Sequence, residues 1–372
     1  MPSFNNALTG ARLYGRTAWN AFFPAVPPYL IYFVTHRCNA RCSFCFNRDN
    51  QDKADARDEL SAAEVGKTAS SYRGIIHVTL TGGEPFLRDD LYELAAAFVK
   101  AGAASLTIAS NGILTEKIVS TSRKILADFP DLFFDLDLSV DGPEKVHDKT
   151  RGVPGAHQKV METAKAVSAL QKENPRFRAG ASLTVTAFNQ ETAEETVKEL
   201  AESGIFRRVQ VLWVRGTPFD PRAADADFEV YEACRRYLDG VKLAPHQSKA
   251  KEALSRRARA AVSRTVREKT MVLPCQAGRT MVTMDPYGAL YPCEMLWQLL
   301  PDGDPEKGID DWRLGDLRSE NYDMKKTMKS EKARAVRRWI KEQKCFCSFE
   351  CAAYNNIVFN PRTWPSVLGE LK

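Results

Sequence analysis

Three closely spaced cysteines are the residues whose types and spacing point most directly to chemistry. Cys38, Cys42 and Cys45 follow the pattern C-x3-C-x2-C, directly after the apolar run Tyr29–Val34. Thiolates are the ligands that iron–sulfur clusters take, so three of them can hold three irons of a cubic 4Fe–4S cluster. The fourth iron would then be open to a substrate or cofactor. A structural zinc site would need a fourth ligand, and a disulfide framework is disfavoured because nothing N-terminal resembles a secretion signal.

Three further patterns accompany this triplet. They are Gly82-Gly83-Glu84-Pro85, Ser139-Val140-Asp141-Gly142, and the spacing C-x12-G-x4-C from Cys275 to Cys293. Together with the triplet they resemble the radical S-adenosylmethionine (SAM) superfamily. The likeness covers its cluster motif, its GGEP motif, the segment after its fourth strand and the opening of its SPASM or twitch auxiliary domain. It spans about residues 29–355.

The resemblance implies a SAM pocket beside the first cluster. Glycines have no Cβ and would let the backbone approach the methionine part of SAM, while Glu84 would face its ammonium group. Arg151 resembles the basic residue that pairs with the SAM carboxylate, and a surface arginine is the alternative. Trp213 could stack on adenine or pack in the core. The cofactor-binding residues expected are Gly82, Gly83, Glu84, Pro85, Asn111, Ser139, Asp141, Arg151, Asn189 and Leu212.

A second group of cysteines lies towards the C-terminus: Cys275, Cys293, Cys345, Cys347 and Cys351. The resemblance implies auxiliary iron–sulfur ligands, although the later C-x-C-x3-C departs from the full SPASM pattern. Five thiolates can saturate one 4Fe–4S cluster with one cysteine left over, so we expect a single, twitch-like auxiliary cluster. Whether Cys345 or Cys347 is the ligand stays open, and zinc is the alternative for the C-x-C-x3-C group.

Glu294 is the acidic residue directly after Cys293. In related dehydrogenating members an acid at this place can take a proton from the substrate, so the resemblance makes Glu294 the candidate catalytic base. The alternative is a carboxylate without a catalytic role.

Six apolar, β-prone runs alternate with helical patterns and predict parallel βα units. Six units are too few for a closed eight-stranded barrel, so we expect a curved, open partial (βα)6 barrel, as the resemblance also implies. The motifs follow the strands and should therefore share one rim. The predicted strands are Tyr29–Val34, Ile75–Leu80, Ser105–Ala109, Phe133–Val140, Arg178–Ala187 and Arg208–Val214. The helices predicted between them are Ser61–Tyr72, Asp90–Ala101, Thr115–Ala127, His157–Lys172 and Gln190–Ser203.

The chain is predicted to have four parts. Residues 1–28 form an N-terminal segment, 29–240 the barrel, 241–271 a helical connector and 272–372 a small α+β auxiliary cluster domain with its tail. Two β-prone runs around Pro286-Tyr287-Gly288 predict a hairpin. The N-terminal segment is expected to cap the barrel bottom as an amphipathic helix, with peripheral membrane contact as the alternative. No leader-peptide-binding domain is expected before the first strand.

Composition limits the remaining possibilities. The chain has 372 residues, 44% of them hydrophobic, and no apolar run approaches the length of a transmembrane helix. Nine cysteines without a secretion signal favour a reducing, cytoplasmic setting with metal or redox use. The net charge of +6 is mild, and the basic runs Arg256–Arg267 and Lys332–Lys344 are typical of solvated helix faces. A nucleic-acid partner is therefore not expected.

Taken together, these features predict a radical SAM enzyme. An external reductant such as flavodoxin or ferredoxin would supply an electron. SAM would be cleaved to methionine and a 5′-deoxyadenosyl radical, which would abstract a hydrogen atom from the substrate. The auxiliary cluster could accept the substrate electron, which would make the reaction an oxidation. We expect a small-molecule substrate, such as a sugar, alcohol or lipid precursor; maturation of a ribosomally made peptide is the alternative.

Overall fold

Nine strands form one sheet in the computed structural model, which describes residues 15–243, 249–299, 311–343 and 347–369. The strands are β1 (Tyr29–Thr35), β2 (His77–Gly82), β3 (Ser105–Ser110), β4 (Phe133–Ser139), β5 (Phe177–Val185), β6 (Arg208–Trp213), β7 (Met281–Met284), β8 (Ala289–Tyr291) and β9 (Gly315–Asp316). They lie in the order β6-β5-β4-β3-β2-β1-β7-β8-β9, and β1 to β6 pair in parallel. This open parallel sheet confirms the predicted partial barrel.

Helices connect successive strands and cover the outer face of the sheet. They are α1 (residues 15–22), α2 (Arg48–Asp52), α3 (Ala62–Ser71), α4 (Leu91–Lys100), α5 (Thr115–Asp128), α6 (Glu144–Arg151), α7 (Ala156–Glu173), α8 (Gln190–Glu202), α9 (Phe228–Gly240), α10 (Lys249–Glu268), α11 (Glu294–Leu299), α12 (Met324–Lys329), α13 (Glu331–Gln343), α14 (Glu350–Val358) and α15 (Trp364–Gly369). The five helices predicted between the strands are present with bounds close to those expected. None of the described helices combines the length and apolar character that crossing a bilayer requires.

Alternating residues give the barrel an apolar outer face and a polar lumen. Outward positions such as Leu136 and Leu183 are fully buried under the helices. The intervening positions point to the other face of the strands. There Arg208 Nη2 lies 2.5 Å from Asp137 Oδ2, and Asp135 pairs with Arg178. The lumen is therefore lined by paired charges rather than by the branched apolar side chains that fill a closed barrel.

The predicted hairpin is confirmed, and it continues the barrel sheet. Strands β7 and β8 pair antiparallel around the turn, with Thr283 opposite Tyr291. Strand β7 also pairs in parallel with β1, with Tyr29 opposite Met281. The Asn355 side chain on α14 accepts a hydrogen bond from Thr280 Oγ1 at 2.5 Å, just before β7. The cysteine-bearing C-terminal region thus begins on the open edge of the barrel. Its division from the barrel as a separate domain stays a prediction.

A pair of glycines closes the carboxyl ends of β1 and β2 against each other. Gly83 N donates to Thr35 O at 2.8 Å, and Glu84 N donates to Arg37 O at 2.8 Å. A Cβ on Gly82 would lie 2.2 Å from Thr35 O, and one on Gly83 would lie 2.1 Å from Arg37 O. Gly82 also has a φ of +143°. Only glycine fits this approach, so the pair fixes where the cysteine loop leaves β1.

Replacing Gly83 with alanine should lower the free energy of unfolding by about 3 kcal/mol or more, because the new Cβ would overlap backbone that has little room to move. Gly66 in α3 is a matched control, since nothing lies within 4 Å of a Cβ placed there. Gly66→Ala should raise stability by about 0.5–1 kcal/mol. Denaturant unfolding measures both, and a neutral Gly83→Ala would contradict the close approach.

Candidate active site

The cysteine triplet lies on a loop that the end of α6 holds in place. Arg41 N donates to Arg151 O at 2.9 Å, and Ser43 N donates to Thr150 O at 3.1 Å. Gly152 has a φ of +68°, and a Cβ there would lie 2.7 Å from Arg41 O. Backbone contacts on both sides of Cys42 therefore fix the loop at the carboxyl ends of the strands, as the sequence predicted.

Polar hydrogens approach the sulfur atom of each of the three cysteines. Arg151 Nη1 lies 3.6 Å from Cys42 Sγ, and Gln51 Nε2 lies 3.4 Å from Cys45 Sγ. Cys38 Sγ accepts from Ala40 N at 3.4 Å. Such donors stabilise negative charge on sulfur. Burial raises the pKa of Cys38 to about 11 and that of Cys45 to about 12, so a bound metal would have to drive deprotonation.

These residues fit a 4Fe–4S cluster better than a zinc ion. Three thiols lie on one fixed loop beside N–H donors and a guanidinium, a donor set suited to thiolates. Within the described ranges, no three His, Cys, Asp or Glu side chains come close enough to share one metal ion. A 4Fe–4S cluster does not require three side chains to meet at one metal ion, because each thiolate binds a different iron.

Glu84 is fully buried and ties the ends of β2 and β3 together. Its Oε1 accepts from Phe86 N at 3.1 Å and from Ser110 Oγ at 2.9 Å, while Oε2 accepts from Asn111 N at 2.8 Å. Burial raises the pKa of Glu84 to about 7, because lost hydration outweighs the hydrogen bonds that favour the carboxylate. The sequence suggested a partner for a ligand ammonium; the described contacts give Glu84 a structural role as well.

Asp141 and Arg151 form a buried ion pair next to the cysteine loop. Arg151 Nε lies 2.6 Å from Asp141 Oδ2, and Asp141 Oδ1 accepts from Thr184 N at 3.0 Å. The guanidinium also lies 5.3 Å from the centre of the Phe44 ring. Although burial lowers the pKa of Arg151, Asp141 and Cys42 raise it on balance. A permanent positive charge therefore lies beside Cys42, where an anionic group of a ligand would be stabilised.

The other predicted cofactor-binding residues divide into two groups. Asn111 faces the cysteine loop, since its Nδ2 donates to Asn39 Oδ1 at 2.7 Å. Ser139 and Leu212 are half-buried at the ends of β4 and β6, and Pro85 begins a short 3-10 helix. Asn189, in contrast, uses its amide to bind backbone, donating to Asp141 O at 2.8 Å and Thr184 O at 2.9 Å. Its described contacts make it a positioning residue for Asp141.

Trp213 follows the packing alternative rather than the adenine-stacking one. Its ring lies edge-on to Phe228 at 5.1 Å and to Tyr231 at 6.1 Å, both on α9. Leu212 precedes it and points to the opposite face of β6. The aromatic end of this strand therefore belongs to the outer layer.

The C-terminal cysteines are brought near the open edge of the barrel. Cys275 precedes β7, Cys293 follows β8, and Cys347 and Cys351 flank the start of α14. Burial raises the pKa of Cys275 and of Cys351 to about 12 and raises that of Cys347. Cys345 lies outside the described residues, so the choice between it and Cys347 stays open. Four described thiols match the ligand count of one auxiliary cluster.

Arg215 is the important residue that the sequence reasoning missed. Its Nη2 lies 2.7 Å from Glu294 Oε1, and its Nη1 lies 3.1 Å from Glu350 Oε2. Glu350 also accepts from Trp213 N at 2.9 Å. The guanidinium lies over the rings of Phe46, at 5.6 Å, and Phe349, at 4.8 Å. Burial lowers the pKa of Arg215, but Glu294 and Glu350 raise it on balance.

This arginine joins three chemically important segments. Glu294 follows Cys293, Glu350 precedes Cys351, and Phe46 follows Cys45. The signal that could have found Arg215 is its place just beyond strand six, where the earlier strands carry their motifs.

Comparison with known proteins identifies the domain that carries the cysteine triplet. Residues 32–200 match the radical SAM superfamily. The chain carries a radical SAM domain. Similar curated proteins include pre-heme d1 synthase of Dinoroseobacter shibae, 28% identical over 216 residues that are 57% of this chain and 49% of that protein. PqqA peptide cyclase of Methylocella silvestris is 30% identical over 234 residues, which are 59% of each chain.

A solved structure shares the fold over nearly the whole chain. The structure of anSMEcpe with bound AdoMet and Kp18Cys peptide aligns with a TM-score of 0.56 and 17% identity, covering 92% of this chain and 99% of that one. The curated relatives match over less of their length: the chain spans about half of the synthase and three fifths of the cyclase.

Glu84→Gln should remove a pH dependence of stability. An unfolded glutamate titrates near 4.5, whereas Glu84 in the folded protein titrates near 7. The folded state therefore binds the proton more tightly, and stability should fall as pH rises from about 4.5 to about 7, by up to about 1.4 kcal/mol per pH unit. Glu84→Gln cannot titrate and should flatten this slope. Denaturant unfolding at several pH values measures it, with Glu342→Gln, at an exposed position, as the control. An unchanged slope in Glu84→Gln would contradict the assignment.

Proposed function

We propose that this chain is a radical SAM enzyme that acts on a peptide. The single observation that carries the proposal is the cysteine loop of Cys38, Cys42 and Cys45, fixed beside the Asp141–Arg151 pair within a radical SAM domain. When bound, a 4Fe–4S cluster and SAM supply reductive cleavage to methionine and a 5′-deoxyadenosyl radical, which abstracts a substrate hydrogen atom.

The residues around the loop have distinct tasks in this proposal. The three cysteines would hold the cluster, and Gly82, Gly83 and Glu84 would bind SAM beside it. Arg151, held by Asp141 at 2.6 Å, presents a fixed positive charge to the SAM carboxylate. Asn189 keeps Asp141 in place from the next strand. Residues held this rigidly would position the ligand without rearrangement at the moment of reaction.

Similarity to a peptide cyclase favours a peptide over the small molecule that the sequence suggested. Of the two curated relatives described above, PqqA peptide cyclase has both the higher identity, 30%, and the longer aligned stretch. The anSMEcpe structure, which shares the fold, holds a peptide together with AdoMet. The polar lumen suits a chain rich in amide groups, because its paired charges and hydroxyls can accept and donate hydrogen bonds.

A small-molecule substrate is the second candidate. It is favoured by pre-heme d1 synthase, which is 28% identical over 216 residues. Anaerobic assays of the reconstituted protein with deuterated candidates of each class distinguish the two, because label appears in 5′-deoxyadenosine only when the correct substrate is present.

Glu294 and Arg215 provide the means for a net oxidation. The proposal assigns Glu294 as the base that takes a proton from the substrate radical, with Arg215 orienting the carboxylate at 2.7 Å. The neighbouring auxiliary cysteines would hold the cluster that accepts the electron. Arg215 is a positioning residue in this scheme, since its contacts are to the two glutamates and two aromatic rings.

Glu294→Gln should preserve SAM cleavage and label transfer into 5′-deoxyadenosine but lower product formation by about 10²-fold or more, the usual scale of general-base catalysis. Arg215→Lys keeps one charge but cannot hold both glutamates, so the ratio of 5′-deoxyadenosine to product should rise here too. Glu342→Gln, on the exposed side of α13, is the control. Product formation at the unchanged rate in Glu294→Gln would make the reaction redox-neutral or assign the base elsewhere.

Iron content tests the cluster assignment separately. Reconstituted protein should hold about eight irons, and replacing Cys38, Cys42 and Cys45 together with alanine should leave about four and abolish SAM cleavage. Cys234 is a buried thiol on α9, and the matched control Cys234→Ala should keep all eight or so irons. About twelve irons per chain would contradict the single auxiliary cluster, and zinc bound at Cys347 and Cys351 would contradict a cluster there.

A further inference from the structure

Exposed aromatic and apolar side chains lie on the first and last described helices, α1 and α15. Trp19, Phe22 and Phe23 at the end of α1 are 67%, 54% and 63% exposed, and Leu368 on α15 is 60% exposed. The Trp19 and Phe23 rings lie 5.0 Å apart, and Phe22 meets Trp364 edge-on at 5.9 Å. These five residues form one surface, here called the aromatic patch. Apolar surface concentrated in this way marks an interaction site.

The aromatic patch is fixed at the end of the barrel that is remote from the cysteine loop. Arg16 on α1 donates to Gly102 O at 2.9 Å and to Ile75 O at 2.6 Å. Gly102 and Ile75 lie just before β3 and β2, at the amino ends of these parallel strands. The cysteine loop follows the carboxyl end of β1. A partner on the aromatic patch would therefore leave the candidate active site accessible.

Arginines accompany the aromatic patch, and the segments that build it carry no carboxylate. No Asp or Glu occurs in residues 1–48, 69–83, 271–284 or 351–369. Arg279 Nη2 donates to Ala21 O at 3.3 Å, so its guanidinium lies at the end of α1. Arg73 adjoins Gly74, which packs near Asn20 of α1, and Arg362 stands two residues before Trp364. All three arginines are exposed.

We propose that the aromatic patch docks on the surface of an anionic lipid bilayer. Trp and Phe side chains enter the boundary between headgroups and acyl chains, and arginines pair with lipid phosphates. The exposed aromatic rings lie on and next to a short helix, which suits insertion into a fluid surface. Positive charge on all the contributing segments matches an anionic surface. The proposal does not depend on the substrate or on the proposed function.

Vesicle co-sedimentation of the reconstituted full chain tests the proposal. Binding to phosphatidylcholine vesicles that contain phosphatidylglycerol should exceed binding to phosphatidylcholine alone and should weaken with salt. The double variants Trp19→Ser/Phe23→Ser and Arg279→Glu/Arg362→Glu should each lower partitioning by about tenfold or more.

Two variants are matched controls: Phe219→Ser, beside the cysteine loop at a side chain 54% exposed, and Arg57→Glu, at an exposed arginine. Both should bind vesicles like the wild type, and circular dichroism verifies that all variants fold. Wild-type protein that stays in solution with anionic vesicles would overturn the proposal. So would patch variants that still bind, or a concentration-dependent dimer that Trp19→Ser/Phe23→Ser abolishes while vesicle binding is absent.

Discussion

The contact between the Gly82–Gly83 turn and the end of β1 is the constraint on which the rest of the site depends. Two backbone hydrogen bonds, to Thr35 O and Arg37 O, extend the pairing of β1 and β2 up to the residue before Cys38. The cysteine loop therefore starts from a fixed point. Glu84 then anchors the same turn to β3, and the end of α6 closes the loop from the other side. Steric exclusion sets the geometry here, and hydrogen bonding maintains it.

Buried charged side chains lie beside that fixed loop. Glu84 and Asp141 are fully buried, and Arg151 is nearly so. Isolated buried charges would be unfavourable, but Asp141 and Arg151 neutralise each other, and Glu84 is held by three donors. In such surroundings each remaining electrostatic interaction is stronger than it would be in water. The region suits a reaction that begins with electron transfer and must exclude solvent.

The sequence predicted the fold well because its signals are local. Apolar, β-prone runs located the six strands, and the position of the motifs after the strands placed the cysteines, Glu84 and Asp141 on one rim. Local signals could not show that β7 pairs with β1, because that contact joins segments far apart in the chain. They also could not show which side of β6 Trp213 faces, or that the Asn189 side-chain amide donates to backbone carbonyls. Arg215 was missed because its partners, Glu294 and Glu350, lie far from it in sequence, and the neighbouring cysteines gave the stronger signal in those segments.

Arg215 also couples parts of the chain that are far apart in sequence. One guanidinium contacts the residue after Cys45 and the acids adjoining Cys293 and Cys351. Because one guanidinium pairs with both carboxylates and lies over the Phe46 ring, its position fixes these three side chains relative to one another. A single side chain therefore sets the spacing between the two cysteine-bearing regions of the chain.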